Sequence, residues 1–227
     1  MVAEGQYLER PTVIPGPDGA LEGLFHRGPH WPGVVIAPPT PQTGGSMESA
    51  VIAELAWAVT RAGHPTLRFN FRGVGGSAGR FDEATLEQDL DAAESHLAVT
   101  LADLAVTTER PGASALAVGL GLCGYGRGAD LVLQRAAAHP DRYAAVVAVS
   151  PTGESAPDLG RFAGPCVVIV PQYVGRELGS VRSAVESAPQ GRWVSIPRAD
   201  SGFRQGLVHV GRVAAETFAP FDGATLH

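Results

Sequence analysis

Residues 116–128 read Leu-Ala-Val-Gly-Leu-Gly-Leu-Cys-Gly-Tyr-Gly-Arg-Gly, an apolar run that breaks at a glycine-dense turn just ahead of a helix-forming stretch. A sharp strand-to-helix bend of this kind pushes its middle side chain into a site mouth and offers the next backbone amide to a developing negative charge. Catalytic versions of the bend carry Ser or Cys in the middle. Within Gly124-Tyr125-Gly126-Arg127-Gly128 the middle residue is Gly126, so the flanking glycines of the tight turn are kept and the nucleophile position carries only hydrogen.

Outward from this turn, strand and helix patterns alternate. A strand is predicted over 114–123 and a helix over 129–138. Upstream, 33–37 is an unbroken apolar run, as expected of a strand covered on both faces. Ser46 is read as the cap of a helix over 47–62, with Val51, Ile52, Leu55, Ala58 and Val59 at helical spacing and Gly63 ending it. A strand over 66–71 follows, then a long helix over 83–104 with an acidic first turn and Leu86, Leu90, Ala93 and Leu97 along one face.

Strands over 143–149, 166–170 and 192–196 come next, with helices near 177–187 and 206–218. At the N-terminus, 12–14 and 21–26 flank Pro15-Gly16-Pro17-Asp18-Gly19, a hairpin turn and hence an antiparallel entry to the sheet. The alternation predicts one α/β domain over 1–227: a doubly wound, mostly parallel sheet with an antiparallel N-terminal strand, in three α/β/α layers with right-handed crossovers.

Composition narrows the chemistry. A length of 227 residues, 44% of them hydrophobic, suits one sheet buried on both faces. The net charge of −6 and the lack of a basic cluster interleaved with aromatics argue against nucleic acid and anionic membranes as partners. All 17 basic residues are Arg, which with the Ala, Gly and Pro content points to a GC-rich, bacterial genome. Without Lys there is no lysine Schiff base, no lysine-anchored pyridoxal phosphate and no Walker lysine. No basic segment with an apolar core opens the chain and no apolar run is long enough to span a bilayer, so a cytoplasmic location is expected. Cys123 and Cys166 are read as buried, inert thiols rather than a disulfide.

Three stretches together carry a family resemblance: the string Arg68-Phe69-Asn70-Phe71-Arg72-Gly73-Val74-Gly75-Gly76-Ser77 directly after a strand, the loop Pro41-Gln42-Thr43-Gly44-Gly45-Ser46-Met47, and the bend at Gly126. They resemble the small, capless α/β hydrolases related to dienelactone hydrolase, from about Leu21 to near the C-terminus. The resemblance implies the α/β-hydrolase fold and a triad of nucleophile, acid and histidine. Carried over residue by residue, the nucleophile position falls on Gly126. The acid position falls in Pro171-Gln172-Tyr173-Val174-Gly175, with Gln172 and Val174 as its two candidates, where the family has a Gly-Asp-x-Asp turn. The histidine position falls on Ser201, in Arg198-Ala199-Asp200-Ser201. Pro38 and Thr40 stand where a His-Pro-His-Pro loop is frequent, although Gly44-Gly45 is kept. Four departures in one pocket imply a degenerate triad, a pseudoenzyme released from acyl transfer.

Other chemistries fare worse. Cys123 lies three residues before Gly126 where the strand still runs, and His209, inside the last helix, is read as a surface or packing histidine. Gly119-x-Gly121-x-x-Gly124 matches a dinucleotide fingerprint literally, but its helix would begin through Gly124, Gly126 and Gly128, each costing about 1 kcal/mol in a helix interior. The acidic residue that the fingerprint requires is replaced by Val149-Ser150-Pro151. No His, Cys or carboxylate cluster has metal-ligand spacing, so neither a metal nor a cofactor is expected.

Two readings stand for Tyr125 and Arg127: packing under the turn and pairing with a local carboxylate, or facing an anionic ligand at the helix N-terminus. Thr43, Gly44 and Gly45 offer an amide-rich loop opposite the bend, suited to polarising a carbonyl or enolate. In open parallel sheets ligands sit at the carboxyl ends of the strands. Thr40, Gln42, Thr43, Tyr125, Arg127, Gln172, Tyr173 and Ser201 are therefore the candidate ligand-binding residues. The first expectation is a non-hydrolytic chain that binds a small organic molecule there or acts as a partner, with a homo-oligomer or a protein partner as further options. The alternative is a lyase, cyclase or isomerase, as in bacterial natural-product biosynthesis, that orients a substrate without a covalent intermediate.

Overall fold

The protein is described here by a computed structural model over residues 8–107, 119–154, 156–173 and 178–219. The hairpin β1 (Arg10–Gly16) and β2 (Gly19–His26) leads into β3 (Val34–Ala37), α1 (Ala50–Arg61), β4 (Thr66–Phe69) and α2 (Leu86–Thr107). Then come β5 (Leu120–Tyr125), α3 (Arg127–Ala138), β6 (Tyr143–Val149), β7 (Cys166–Pro171), α4 (Gly179–Ser187), β8 (Gly191–Ile196) and α5 (Leu207–Phe218). The eight strands form one sheet in the order β1-β2-β4-β3-β5-β6-β7-β8. Strands β3 to β8 pair in parallel, whereas β2 is antiparallel to both β1 and β4.

Each face of the sheet has its own apolar core. Leu86, Leu90, Ala93 and Leu97 of α2 pack on one side with Leu131 and Val132 of α3 and Val181 of α4. Val51, Ile52 and Leu55 of α1 pack on the other with Val210, Val213 and Phe218 of α5. Full burial of a Val, Leu or Ile side chain contributes about 1.5–3 kcal/mol, so the wholly buried β3 and β4 and the inner residues of β5 are held by packing rather than by strand propensity. Cys123 and Cys166 are both free and buried, one in each core. Burial pushes the Cys166 thiol up to about 12 and the Cys123 thiol further, which keeps both protonated. No helix among the described residues is long and apolar enough to cross a membrane.

The string after β4 is a clamp. Arg68 donates to both carboxylate oxygens of Glu9 at 2.7 and 2.9 Å and to the Met47 carbonyl at 2.7 Å. Asn70 Oδ1 accepts from the Met47 amide at 2.8 Å while Nδ2 donates to Glu22 at 2.9 Å. Arg72 holds the fully buried Asp89 through its backbone amide, Nε and Nη2, and holds Asp18 of the hairpin turn through Nη1. Hairpin, α2 and the loop before α1 are thus tied to the end of one strand.

The clamp explains one difference from the sequence reading. Helix α1 begins at Ala50, with Ser49 rather than Ser46 at its N-cap. Both backbone polar groups of Met47 are taken by β4-side residues, so helical hydrogen bonding cannot start there. Strand β4 stops at Phe69, and the long helix opens with a 3-10 turn over Glu83–Thr85 before α2. Of the predicted strand 114–123, residues 114–118 lie outside the described ones.

Candidate functional site

The bend after β5 has the geometry its glycines suggest. Gly126 sits at φ 58°, ψ −125°, a conformation that strains residues with a side chain. Its amide donates to the Val149 carbonyl at 3.0 Å, and its carbonyl accepts from Ala129 and Asp130 at 2.9 and 3.3 Å. The flanking positions have no room for a side chain: a Cβ on Gly124 would stand 2.2 Å from the Gly128 carbonyl oxygen, and one on Gly128 2.3 Å from that of Ala37. At Gly126 a Cβ would stand 3.2 Å from the Pro39 ring, a tight contact that a shift of a few tenths of an ångström in that side chain relieves. The turn thus blocks side chains at its flanks by backbone and meets at close range only a side-chain neighbour at its middle position.

The middle position belongs to a cleft of about 560 Å³ at the carboxyl edge of the sheet, within the range of small-molecule sites. Its walls are Pro39, Thr43, Gly44 and Gly45 from the loop after β3, and Ser49, Ala50 and Val51 from the start of α1. Tyr125 and Gly126 come from the bend, Ser150 from the end of β6, and Ser201 and Gly202 from the loop after β8. Five hydroxyl-bearing residues line the cleft, and none of these wall residues is charged or is a His or Cys.

Of the residues named from sequence, Thr43, Tyr125 and Ser201 meet in this cleft. Tyr125 donates to the Ser201 carbonyl at 3.0 Å, joining the bend to the loop after β8. Burial raises the Tyr125 pKa, and the nearby Asp200 carboxylate raises it further, so the phenol stays protonated as a hydrogen-bond donor. The Asp200 pKa is lowered chiefly by the backbone amide of Arg204. Arg204 Nε also donates to Asp200 at 2.7 Å, so the loop beside the cleft carries an ion pair rather than a lone charge.

The other named residues lie elsewhere. Arg127 Nε donates to Glu83 Oε1 at 2.9 Å and stands 3.5 Å from Glu154 Oε2, which matches the carboxylate-pairing alternative. Thr40 is buried beneath its loop, and its carbonyl accepts from the amides of Thr43 and Gly45. Gln42 is exposed and outside the cleft wall. Gln172 is exposed with its backbone amide donating to the Ile196 carbonyl, and Tyr173 is 80% exposed. Val174 lies outside the described residues.

The amide cradle expected at 43–45 needs correction. The amides of Thr43, Gly44 and Gly45 donate to the carbonyls of Thr40, Pro41 and Thr40 at 3.2, 2.9 and 3.1 Å. A 3-10 turn over Pro41–Thr43 consumes the donors that an oxyanion would need.

Sequence reasoning missed Pro39, Ser49, Ala50, Val51 and Ser150 as cleft residues. A helix start at Met47 puts Ser49 inside the helix, and none of the eight candidates drawn from the strand-end rule lies in the loop after β6. Ser150 follows β6 directly, so that rule reaches it. Its neighbourhood is firmly held: the Ser150 amide donates to the Ile169 carbonyl at 2.8 Å, and the buried Asp130 carboxylate accepts from the amides of Thr152 and Gly153.

No protein-family model matches the chain. An uncharacterised protein of Rickettsia prowazekii is 36% identical over 74 residues, a segment that spans 32% of this chain and 31% of that protein. Among solved structures, a lidless α/β serine hydrolase of Xanthomonas campestris is similar at 25% identity and a TM-score of 0.66, covering 96% of both chains. A protein of unknown function from Agrobacterium tumefaciens is similar at 21% identity and a TM-score of 0.74, over 96% of this chain and 99% of that one. The dienelactone hydrolase of Anabaena variabilis is similar at 24% identity and a TM-score of 0.64, over 95% and 99%. The chain has the α/β-hydrolase fold.

Proposed function

We propose that this α/β-hydrolase-fold chain is a triad-less pseudohydrolase whose cleft over Gly126 receives a small organic molecule without acyl transfer. The observation that carries the reading is the contrast within the bend: the backbone is held at φ 58°, ψ −125°, the close neighbour of a Cβ there is the Pro39 ring rather than backbone, and no side chain occupies the position. A degenerate active site filled by apolar residues would leave no cleft, yet the wall here keeps five hydroxyl-bearing residues around about 560 Å³. Covalent catalysis needs a nucleophile, a base and a group that orients the base. The wall among the described residues offers hydroxyls with no histidine beside them.

The test uses the full chain. Purified protein is expected to leave fluorophosphonate probes unreacted and to hydrolyse para-nitrophenyl acetate at the rate of a denatured control. Gly126→Ser is expected to fold and stay equally inactive, because the new hydroxyl has no base to take its proton. Stoichiometric labelling of the unmodified chain overturns the reading, and turnover by Gly126→Ser places a base that the reading lacks.

A further inference from the structure

Among the described residues of the cleft wall, Ser150 carries the buried side-chain polar atom without a hydrogen-bond partner. Its Oγ is shielded from solvent and has no hydrogen-bond partner among the described residues. Buried hydroxyls are nearly always paired, so a lone one at a cleft wall needs an explanation. Its backbone cannot move to supply one, since the Ser150 amide is bonded to Ile169 and Thr152 and Gly153 are held by Asp130. The chain also accepts a φ of 43° at this non-glycine residue. Rotation about χ1 is the remaining freedom, and no hydrogen bond holds the Oγ where it stands.

We propose, on the reading of the cleft given above, that Ser150 Oγ turns into the cleft and donates to the carbonyl oxygen of an uncharged small molecule seated over Gly126. The charge pattern selects a neutral ligand. The wall residues carry no charged side chain, and a charge taken into such a site without a partner is strongly disfavoured. The amides of Thr43, Gly44 and Gly45, which an anion would seek, are already bonded, and the guanidinium of Arg204 on the adjacent loop is already paired with Asp200. A ketone, amide or ester carbonyl needs one donor, and a serine hydroxyl supplies it.

The probes are para-fluoroacetophenone, its carbonyl-free analogue para-fluorotoluene and the anion para-fluorobenzoate, each titrated against the full chain and followed by fluorine NMR. The ketone is expected to bind the unmodified chain in preference to the benzoate. Ser150→Ala is expected to weaken the ketone about tenfold, the scale of one hydrogen bond, while leaving para-fluorotoluene unchanged and the melting temperature equal or higher. Ala50→Trp, at an exposed wall position, is expected to abolish binding of both neutral probes.

If Ser150→Ala leaves the ketone unaffected while Ala50→Trp abolishes it, the anchor is wrong and the cleft reading stands. If the ketone does not bind the unmodified chain, or neither variant alters its binding, both fail. Equal weakening of ketone and toluene, or a lowered melting temperature in Ser150→Ala, makes Ser150 a structural residue and overturns the proposal.

Discussion

The string that ends β4 and the bend that ends β5 sit at the same edge of the sheet, yet their polar groups are used in opposite ways. At the string, Arg68, Asn70 and Arg72 hold Glu9, Met47, Glu22, Asp18 and Asp89 in direct hydrogen bonds. At the bend, the amide and carbonyl of Gly126 are bonded while its side-chain position is empty and the nearby Ser150 hydroxyl has no partner among the described residues. Groups that carry folding free energy are paired, and groups left free are available to a ligand. The motif that resembles a hydrolase family most specifically is therefore a statement about architecture, and function must be read at the bend.

The comparison breaks first if the bend's backbone proves dispensable. Gly128→Ala puts a Cβ 2.3 Å from the Ala37 carbonyl oxygen and 2.5 Å from that of Pro38, both backbone atoms of β3 and its loop. Backbone cannot yield as a flexible side-chain end can, so a loss on the order of 4 kcal/mol or more is expected, enough to unfold a marginal domain. Expression in the soluble fraction and a circular-dichroism melt check it. A near-native melt would show that the bend is loose.

The string is tested next by Arg72→Ala. It strands the carboxylate of Asp89, which is fully buried, and breaking such a pair from one side costs about 3–5 kcal/mol. Urea denaturation is expected to show that loss. Replacing Arg72 and Asp89 together by Met and Leu is expected to recover much of it, because the stranded charge is then gone. A single variant as stable as the parent chain would remove the string from the structural side of the comparison.

The sheet was legible because its signals are local and redundant. Apolar runs at 33–37 and 143–149, helical spacing in α2 and the glycines of the bend each point to the same architecture. The start of α1 was not legible, because it is set by Asn70 and Arg68 capturing Met47 from more than 20 residues away in sequence. The cleft was half legible: Thr43, Tyr125 and Ser201 follow from the strand-end rule. The side-chain directions of Arg127 and Tyr173 do not, since what turns Arg127 away is a pair of carboxylates, Glu83 and Glu154, on other loops. The internal bonding of the amides at 43–45 was equally hidden, because a short turn built on Pro41 and an amide-rich cradle use the same residue types.

The smallest expected effects separate the two side chains that flank Gly126. Tyr125→Phe removes a partly exposed hydrogen bond to the Ser201 carbonyl, worth about 0.5–1.5 kcal/mol. Arg127→Ala removes ion pairs to carboxylates that are themselves 43% and 61% exposed, worth about 0–1 kcal/mol. Melting temperatures alone therefore hardly distinguish the variants. Binding does, because Tyr125 belongs to the cleft wall and ties two of its loops together, whereas the Arg127 guanidinium faces Glu83 and Glu154. In the fluorine NMR titration Tyr125→Phe is expected to weaken para-fluoroacetophenone about two- to threefold, as one loop is released at a modest energetic cost. Arg127→Ala is expected to leave it unchanged and to leave para-fluorobenzoate as weak as before. If Arg127→Ala instead weakens the benzoate selectively, the guanidinium leaves its carboxylates to meet an anion. The cleft would then select by charge at the helix N-terminus rather than by the hydroxyls of its wall.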